Sequence, residues 1–256
     1  MAIVLFDNGT HKCLMFDDLV DDTENHAVQS NQFLIVDNGH GAIIDPGGNM
    51  TYNALRLEMT YFFPPKKLAY VLASHSDPDI VASLNKWLIS TDCKILISQL
   101  WVKFLPHFCT VGSTDGRIQG IPDQGMNIPL GNCTLKAVPA HFMHAEGNFQ
   151  FYDPVSKILF SGDMGASMVA HSDADTPVED FRSHIPSMEG FHRRYMVSNK
   201  ICRYWVNMVR QMDVEAIVPQ HGRIFKGKKM VNEFLDWIES LDCGIDLLTQ
   251  DNYCLP

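Results

Sequence analysis

Four times along this 256-residue chain, an apolar run that reads as a strand leads into histidine or aspartate. Residues 68–73 lead into Ser74-His75-Ser76-Asp77-Pro78-Asp79, and residues 135–138 lead towards His144. Residues 158–160 deliver Ser161-Gly162-Asp163, and residues 217–218 deliver Gln220-His221-Gly222. A rigid strand fixes such a position while the loop that follows frees the side chain. Imidazoles and carboxylates are metal-ligand chemistry, and an ion needs several of them converging against their mutual repulsion. His75, Asp77, Asp79, His144, Asp163 and His221 supply six donors. That is enough for two ions sharing a carboxylate, with Asp163 as the bridge. Each residue alone has a plainer use: Asp79 as a helix cap, Asp163 in a turn, His75 or His144 as a satisfied buried side chain. Together, one design repeated at four strand ends argues for bound metal.

The elements that must hold these residues follow from the spacing of apolar positions. Residues 32–36 and 41–45, joined through Asp37-Asn38-Gly39, read as a hairpin that Pro46-Gly47-Gly48 breaks. Residues 50–62 read as a helix stopped by Pro64-Pro65, and residues 80–88 as a second helix. A strand at 94–98, a short helix at 101–108 and an irregular glycine-containing region at 112–131 follow. Residues 149–152 and 157–160 pair as a hairpin whose second strand delivers Asp163. After a polar loop at 170–180, residues 195–212 read as one long helix, 216–219 as a strand and 231–241 as a closing helix. No repeat and no Pro-, Gly- or Ser-rich linker interrupts this alternation. One α/β domain over residues 1–256 is expected.

Composition narrows the function classes. An apolar fraction of 46% is too high for disorder, and no apolar run is long enough to span a bilayer. A formal charge of −10 argues against a nucleic-acid binder, and the basic cluster at 226–229 reads as a solvated turn. Seven cysteines without CxxC spacing fit neither a disulfide framework nor a zinc ribbon. Most read as small core residues in a reducing compartment, with Cys254 exposed. With no secretory signal visible, a cytoplasmic protein is expected. His107, His171, His184 and His192 lie in polar segments and read as surface residues.

The set Ser74-His75-Ser76-Asp77-Pro78-Asp79, His144, Ser161-Gly162-Asp163 and Gln220-His221-Gly222 resembles the metallo-β-lactamase superfamily, and within it the flavodiiron proteins. Their first motif is H-x-E-x-D-H, followed by a lone His, an Asp and a final His-Gly; here the gaps are 69, 19 and 58 residues. The resemblance covers nearly the whole chain, since residues 41–45 match an early Asp after a hairpin and Arg193-Arg194-Tyr195 looks like the helix before the last ligand. It implies a metallo-β-lactamase-like αββα sandwich. Two positions depart from it: Asp77 stands in place of Glu, and Ile80 in place of the closing His, which leaves the second ion with Asp79, Asp163 and His221. The spacing to Asp163 and the segment His144-Ala145-Glu146-Gly147-Asn148 favour His144 over His141, which becomes a pocket residue.

A carboxylate at 77, where zinc hydrolases of the superfamily carry a second His, makes the pair oxygen-rich and suits iron. The resemblance then implies two non-haem iron ions that bind dioxygen as a diferric-peroxo type adduct, with NO as a second diatomic. Flavodiiron enzymes carry a flavodoxin-like domain with FMN after this module. This chain shows no phosphate loop, and no FMN is expected. It therefore resembles the stand-alone oxygen-binding diiron proteins linked to chemotaxis, a binder or sensor more than a multi-turnover enzyme. A chemotaxis receptor or a separate redox protein is the implied partner, and the resemblance implies a homodimer. Two other functions stay open: a metal-dependent hydrolase using a bridging hydroxide, and an O2 or NO reductase fed by a separate donor. His26 and Tyr195 are further pocket candidates, Tyr195 as a hydrogen-bond donor to bound ligand.

Overall fold

Period-two alternation of apolar side chains builds two sheets and gives each two working faces. In β2 (His11–Phe16), Cys13 and Met15 point to the space between the sheets, while Leu14 and Phe16 point outward under helices. In β3 (Gln32–Asp37), Phe33 and Ile35 face inward and Leu34 outward. The structure is a computed structural model and describes residues 2–17, 19–20, 27–170 and 173–255.

The first sheet has the spatial order β1 (Ala2–Asp7), β2, β3, β4 (His40–Ile44), β5 (Leu68–Leu72), β6 (Lys94–Ser98) and β7 (Ile118–Ile121). It is antiparallel up to β4 and parallel from β4 to β7. The second sheet runs β13 (Phe225–Lys226), β12 (Ala216–Val218), β11 (Ile158–Phe160), β10 (Phe149–Asp153), β9 (Cys133–Pro139) and β8 (Met126–Leu130), with only β11 and β12 parallel. Phe33 and Phe160 meet across the inter-sheet core with ring centroids 5.0 Å apart.

Helices α1 (Tyr52–Met59), α2 (Pro78–Val81) and α3 (Leu84–Ser90) cover the outer face of the first sheet through Leu55, Met59, Leu84 and Trp87. Helices α4 (Phe181–Tyr195), α5 (Asn199–Val209) and α6 (Lys228–Glu239) cover the second through Met188, Trp205 and Phe234. The result is the αββα sandwich that the resemblance implies. No helix among the described residues is long and apolar enough to cross a membrane.

Several local expectations need correction. The expected helix at 195–212 is two elements, because α4 ends at Tyr195 and α5 begins at Asn199. Extended residues Met196 and Ser198 separate them, and Pro186 and Gly190 had hidden the helical pattern of α4. The helix expected at 80–88 is α2 and α3, interrupted after Val81. The region 112–131 contains β7 and β8. His184 and His192, expected at the surface, are buried 5% and 0% exposed on the inner side of α4. His107 is exposed, and His171 lies outside the described residues.

Candidate metal centre

Because β4 is parallel to β5, and β9, β11 and β12 run in one sense, their C-terminal ends gather along one edge of the sandwich. All six sequence-predicted donors leave the sheets there. His75 follows β5 by three residues and is 1% exposed; Asp163 follows β11 and is 4% exposed. Asp77 and Asp79 sit at the start of α2 with partly open carboxylates, facing a cavity of about 860 Å³. Backbone hydrogen bonds knit the loops together: Gln220 N–H donates to Gly162 O at 2.8 Å, and Phe149 N–H to Ser74 O at 2.8 Å.

The donors divide into two sets that share Asp163. On one side, His75 Nε2 lies 3.7 Å and His144 Nε2 3.4 Å from Asp163 Oδ2. Asp77 Oδ2 completes that set at 2.8 Å from His144 and 3.6 Å from His75. On the other side, His221 Nε2 lies 3.5 Å from Asp163 Oδ1 and 3.3 Å from Asp79 Oδ2. The two oxygens of one carboxylate therefore face different histidines, as a bridge between two ions requires.

A further observation tests the fit to metal. His75 Nε2 and Asp163 Oδ1 are buried and have no hydrogen-bond partner, an arrangement that costs about 1–3 kcal/mol per group unless something else satisfies them. His75 and His144 meet edge to face with centroids 5.0 Å apart, so both Nε2 atoms converge on the same space. Ile80, at the position where the related motif has His, is fully buried in the apolar core and offers no donor.

The electrostatics favour a cation. Burial disfavours the His75 imidazolium, yet Asp163 and Asp77 outweigh it and push the group up to about 9. His221 is likewise pushed up to about 9, where burial is overcome by Asp79 and Asp163. The hydrogen bond from His144, with the His75 imidazole close by, holds Asp77 far below the ordinary carboxylate range. Without metal, protons occupy the positive positions of this site; metal ions take their place.

The ring orientations are set from behind. His75 Nδ1 lies 2.9 Å from Ser74 Oγ, and Ser74 N–H donates to Asp45 Oδ1 at 2.8 Å. Asp45 is wholly buried, and burial pushes its carboxyl up to about 6. His221 Nδ1 donates to the carbonyl of Gln29 at 2.5 Å, and Gln220 Nε2 donates to Asp79 Oδ2 at 3.2 Å. Nothing in the sequence pointed to Gln29, and His192 was expected at the surface. His192 is fixed as a neutral ring, with Nδ1 donating to Met188 O at 2.8 Å and Nε2 accepting from Gly165 N–H at 2.9 Å. It thereby ties α4 to the loop that carries Asp163. Its signal in the sequence was the four-residue spacing from Met188 on one helix face.

The pocket candidates separate. Tyr195 reaches the site: its ring is 5.2 Å from that of His144 and 4.7 Å from Phe191, and it lines the cavity. His141 does not, because its Nε2 lies 2.7 Å from the carbonyl of Asp123 and its ring packs on Phe149. His26 lies outside the described residues.

An αββα sandwich with two His/Asp donor sets joined by one carboxylate defines a metallo-β-lactamase-like protein of the dinuclear kind. Residues 28–222 match the family described as ODP family beta lactamase, and the chain belongs to that family. It is 41% identical to the structure described as the peroxy diiron species of chemotaxis sensor ODP, over 99% of both chains, with a TM-score of 0.86. The apo state of chemotaxis sensor ODP from T. denticola is 40% identical over 99% of both chains, with a TM-score of 0.85. Rubredoxin oxygen:oxidoreductase from Desulfovibrio gigas shares the fold at 18% identity and a TM-score of 0.77, over 93% of this chain and 62% of that one. An uncharacterized protein of Methanocaldococcus jannaschii is 26% identical over 212 residues, 80% of this chain. The chain spans about half the length of that curated relative (51%).

Proposed function

We propose that this chain holds two iron ions and binds dioxygen between the donor sets, as an oxygen sensor for chemotaxis signalling. His75, Asp77, His144 and Asp163 would hold one ion, and Asp79, His221 and the same Asp163 would hold the other. The observation that carries this reading is Asp163, whose two oxygens face different histidines. Three carboxylates, three imidazoles and no sulfur make a hard donor set suited to iron. The 41% identical chemotaxis sensor supports both the metal and the role. When bound, the ions supply redox electrons and an open position for a diatomic ligand.

The chain's own residues do the rest. Ser74 and the Gln29 carbonyl hold the rings of His75 and His221 so that Nε2 faces inward. Phe191 and Tyr195 place aromatic rings beside His144 at the cavity, and Tyr195 is a candidate hydrogen-bond donor to a bound ligand. Residues 1–256 act as one diiron domain in this reading. A cytoplasmic homodimer with a chemotaxis receptor or a separate redox protein as partner belongs to the same proposal, supported by the likeness to the sensor over its full length.

Metal analysis of anaerobically purified protein, followed by mixing with oxygen, tests the proposal. Iron near two per chain and a lasting visible absorption band are expected. A band that collapses at once to the resting ferric spectrum overturns the binder in favour of a reductase. Colourless zinc-bearing protein overturns the iron assignment in favour of a hydrolase.

A further inference from the structure

At the opposite edge of the sandwich, β2 begins where β3 and β10 end and β9 begins, and four elements bring donors together. One ligand atom from each of His11, Asp153 and Cys133 lies within 4.8 Å of the others, and His11 Nε2 is 2.8 Å from Asp153 Oδ2. Cys13 Sγ approaches the same point, 3.6 Å from His11 Nε2 and 3.4 Å from Asp153 Oδ2. His11 Nδ1 is engaged by Asp37 Oδ1 at 3.0 Å, which orients the ring and directs Nε2 to the cluster. We infer that His11, Cys13, Cys133 and Asp153 form a second, thiol-bearing metal site for a borderline-soft divalent cation such as zinc, independent of the diiron reading.

Three features support the assignment. Bond lengths of ~2.0–2.3 Å around tetrahedral zinc place N–O edges at roughly 3.3 Å and S–N or S–O edges at roughly 3.6 Å. The two Cys13 Sγ distances match those edges, and the His11–Asp153 contact of 2.8 Å needs only a small opening. Asp37 on the far nitrogen is the outer carboxylate that metal-bound histidines recruit. Asp37 in turn accepts from the backbone N–H groups of Asn132 and Cys133 at 2.6 and 3.2 Å. Gly131 lets the chain approach that closely: it has φ +58°, and a Cβ there would strike Asp37.

The charges also fit. Two buried carboxylates face one imidazole, and among the described residues neither is paired with a lysine or arginine. A divalent cation displaces the two thiol protons and any proton that His11 Nε2 shares with Asp153, while the Nδ1 proton stays on His11 and is donated to Asp37 Oδ1. Cys13 and Asp153 are wholly buried, and the half-buried Cys133 gives the cation access.

Cobalt titration of the reduced, metal-free full chain separates this site from the other, whose donors include no sulfur. A sulfur-to-cobalt charge-transfer absorption is expected at about one equivalent, bleached by zinc. It should persist in Asp163→Asn and in Cys254→Ser, and vanish in Cys133→Ser. Asp37→Asn should weaken zinc binding roughly 10–100-fold. On zinc-loaded wild type, X-ray absorption should show sulfur at about 2.3 Å, a readout that needs no variant to fold. No charge-transfer band under excess cobalt overturns the site and leaves a hydrogen-bonded staple. A band that survives both Cys133→Ser and Cys13→Ser overturns it as well.

Discussion

The two edges of the sandwich handle similar side chains in opposite ways. At the C-terminal edge of β5, β9, β11 and β12, imidazoles and carboxylates face an open cavity, and buried atoms of His75 and Asp163 lack partners. At the other edge, His11 is held on both nitrogens by Asp37 and Asp153, with thiols beside them and little solvent access. Open sites with spare coordination positions bind and transform ligands, whereas closed sites with sulfur hold structure together. Donor type and closure, more than the mere presence of histidine, separate the two edges.

The sharpest way to break this contrast is Asp163→Ala. If one carboxylate serves both ions, this variant should take iron from about two per chain to nearly none, read by metal analysis. Retention of one ion would show that Asp163 does not bridge. His221→Gln should lose one ion of the two and keep the other, because the His75, Asp77 and His144 set stays intact.

Ser74→Ala removes the partner of His75 Nδ1 and should loosen iron by roughly 10–100-fold in a chelator competition. His192→Leu leaves the Gly165 N–H without its acceptor, so stability should fall by about 1–3 kcal/mol in denaturant unfolding.

The smallest expected effect is on pH dependence. Burial, with Arg223 nearby, holds His184 down to about 4, below its ordinary 6.5. The unfolded chain then binds the proton more readily. The contribution of neutral His184 is full above about 6.5 and is lost as pH falls towards 4. Thermal melts across that window should show a downward slope that His184→Leu flattens.

Much of the open edge was legible in the sequence because its signal is local. An apolar run followed by His or Asp marks a strand end, and the 75–79 segment concentrates three donors in five residues. The closed edge was not legible, since His11 and Asp153 are 142 positions apart and neither sits in a motif. Strands β1 and β2 went unread for a related reason. Their apolar residues acquire a pattern only when β2 pairs with β3 and its alternate side chains enter two different cores. The inward turn of His192 escaped notice because Pro186 and Gly190 disguise α4.

The sequence by itself determined which donors exist, that they follow strands, and that their chemistry is rich in oxygen and nitrogen at one set of positions. Those are properties of residue type and near-neighbour order. Only the tertiary structure decided that the two oxygens of Asp163 face different histidines and that Gln29 holds His221 from 192 positions away. It alone brought two thiols to His11. Hydrogen bonds and coordination act over about 3 Å. Residues far apart in the chain come within that range only when the sheets have closed around their common core.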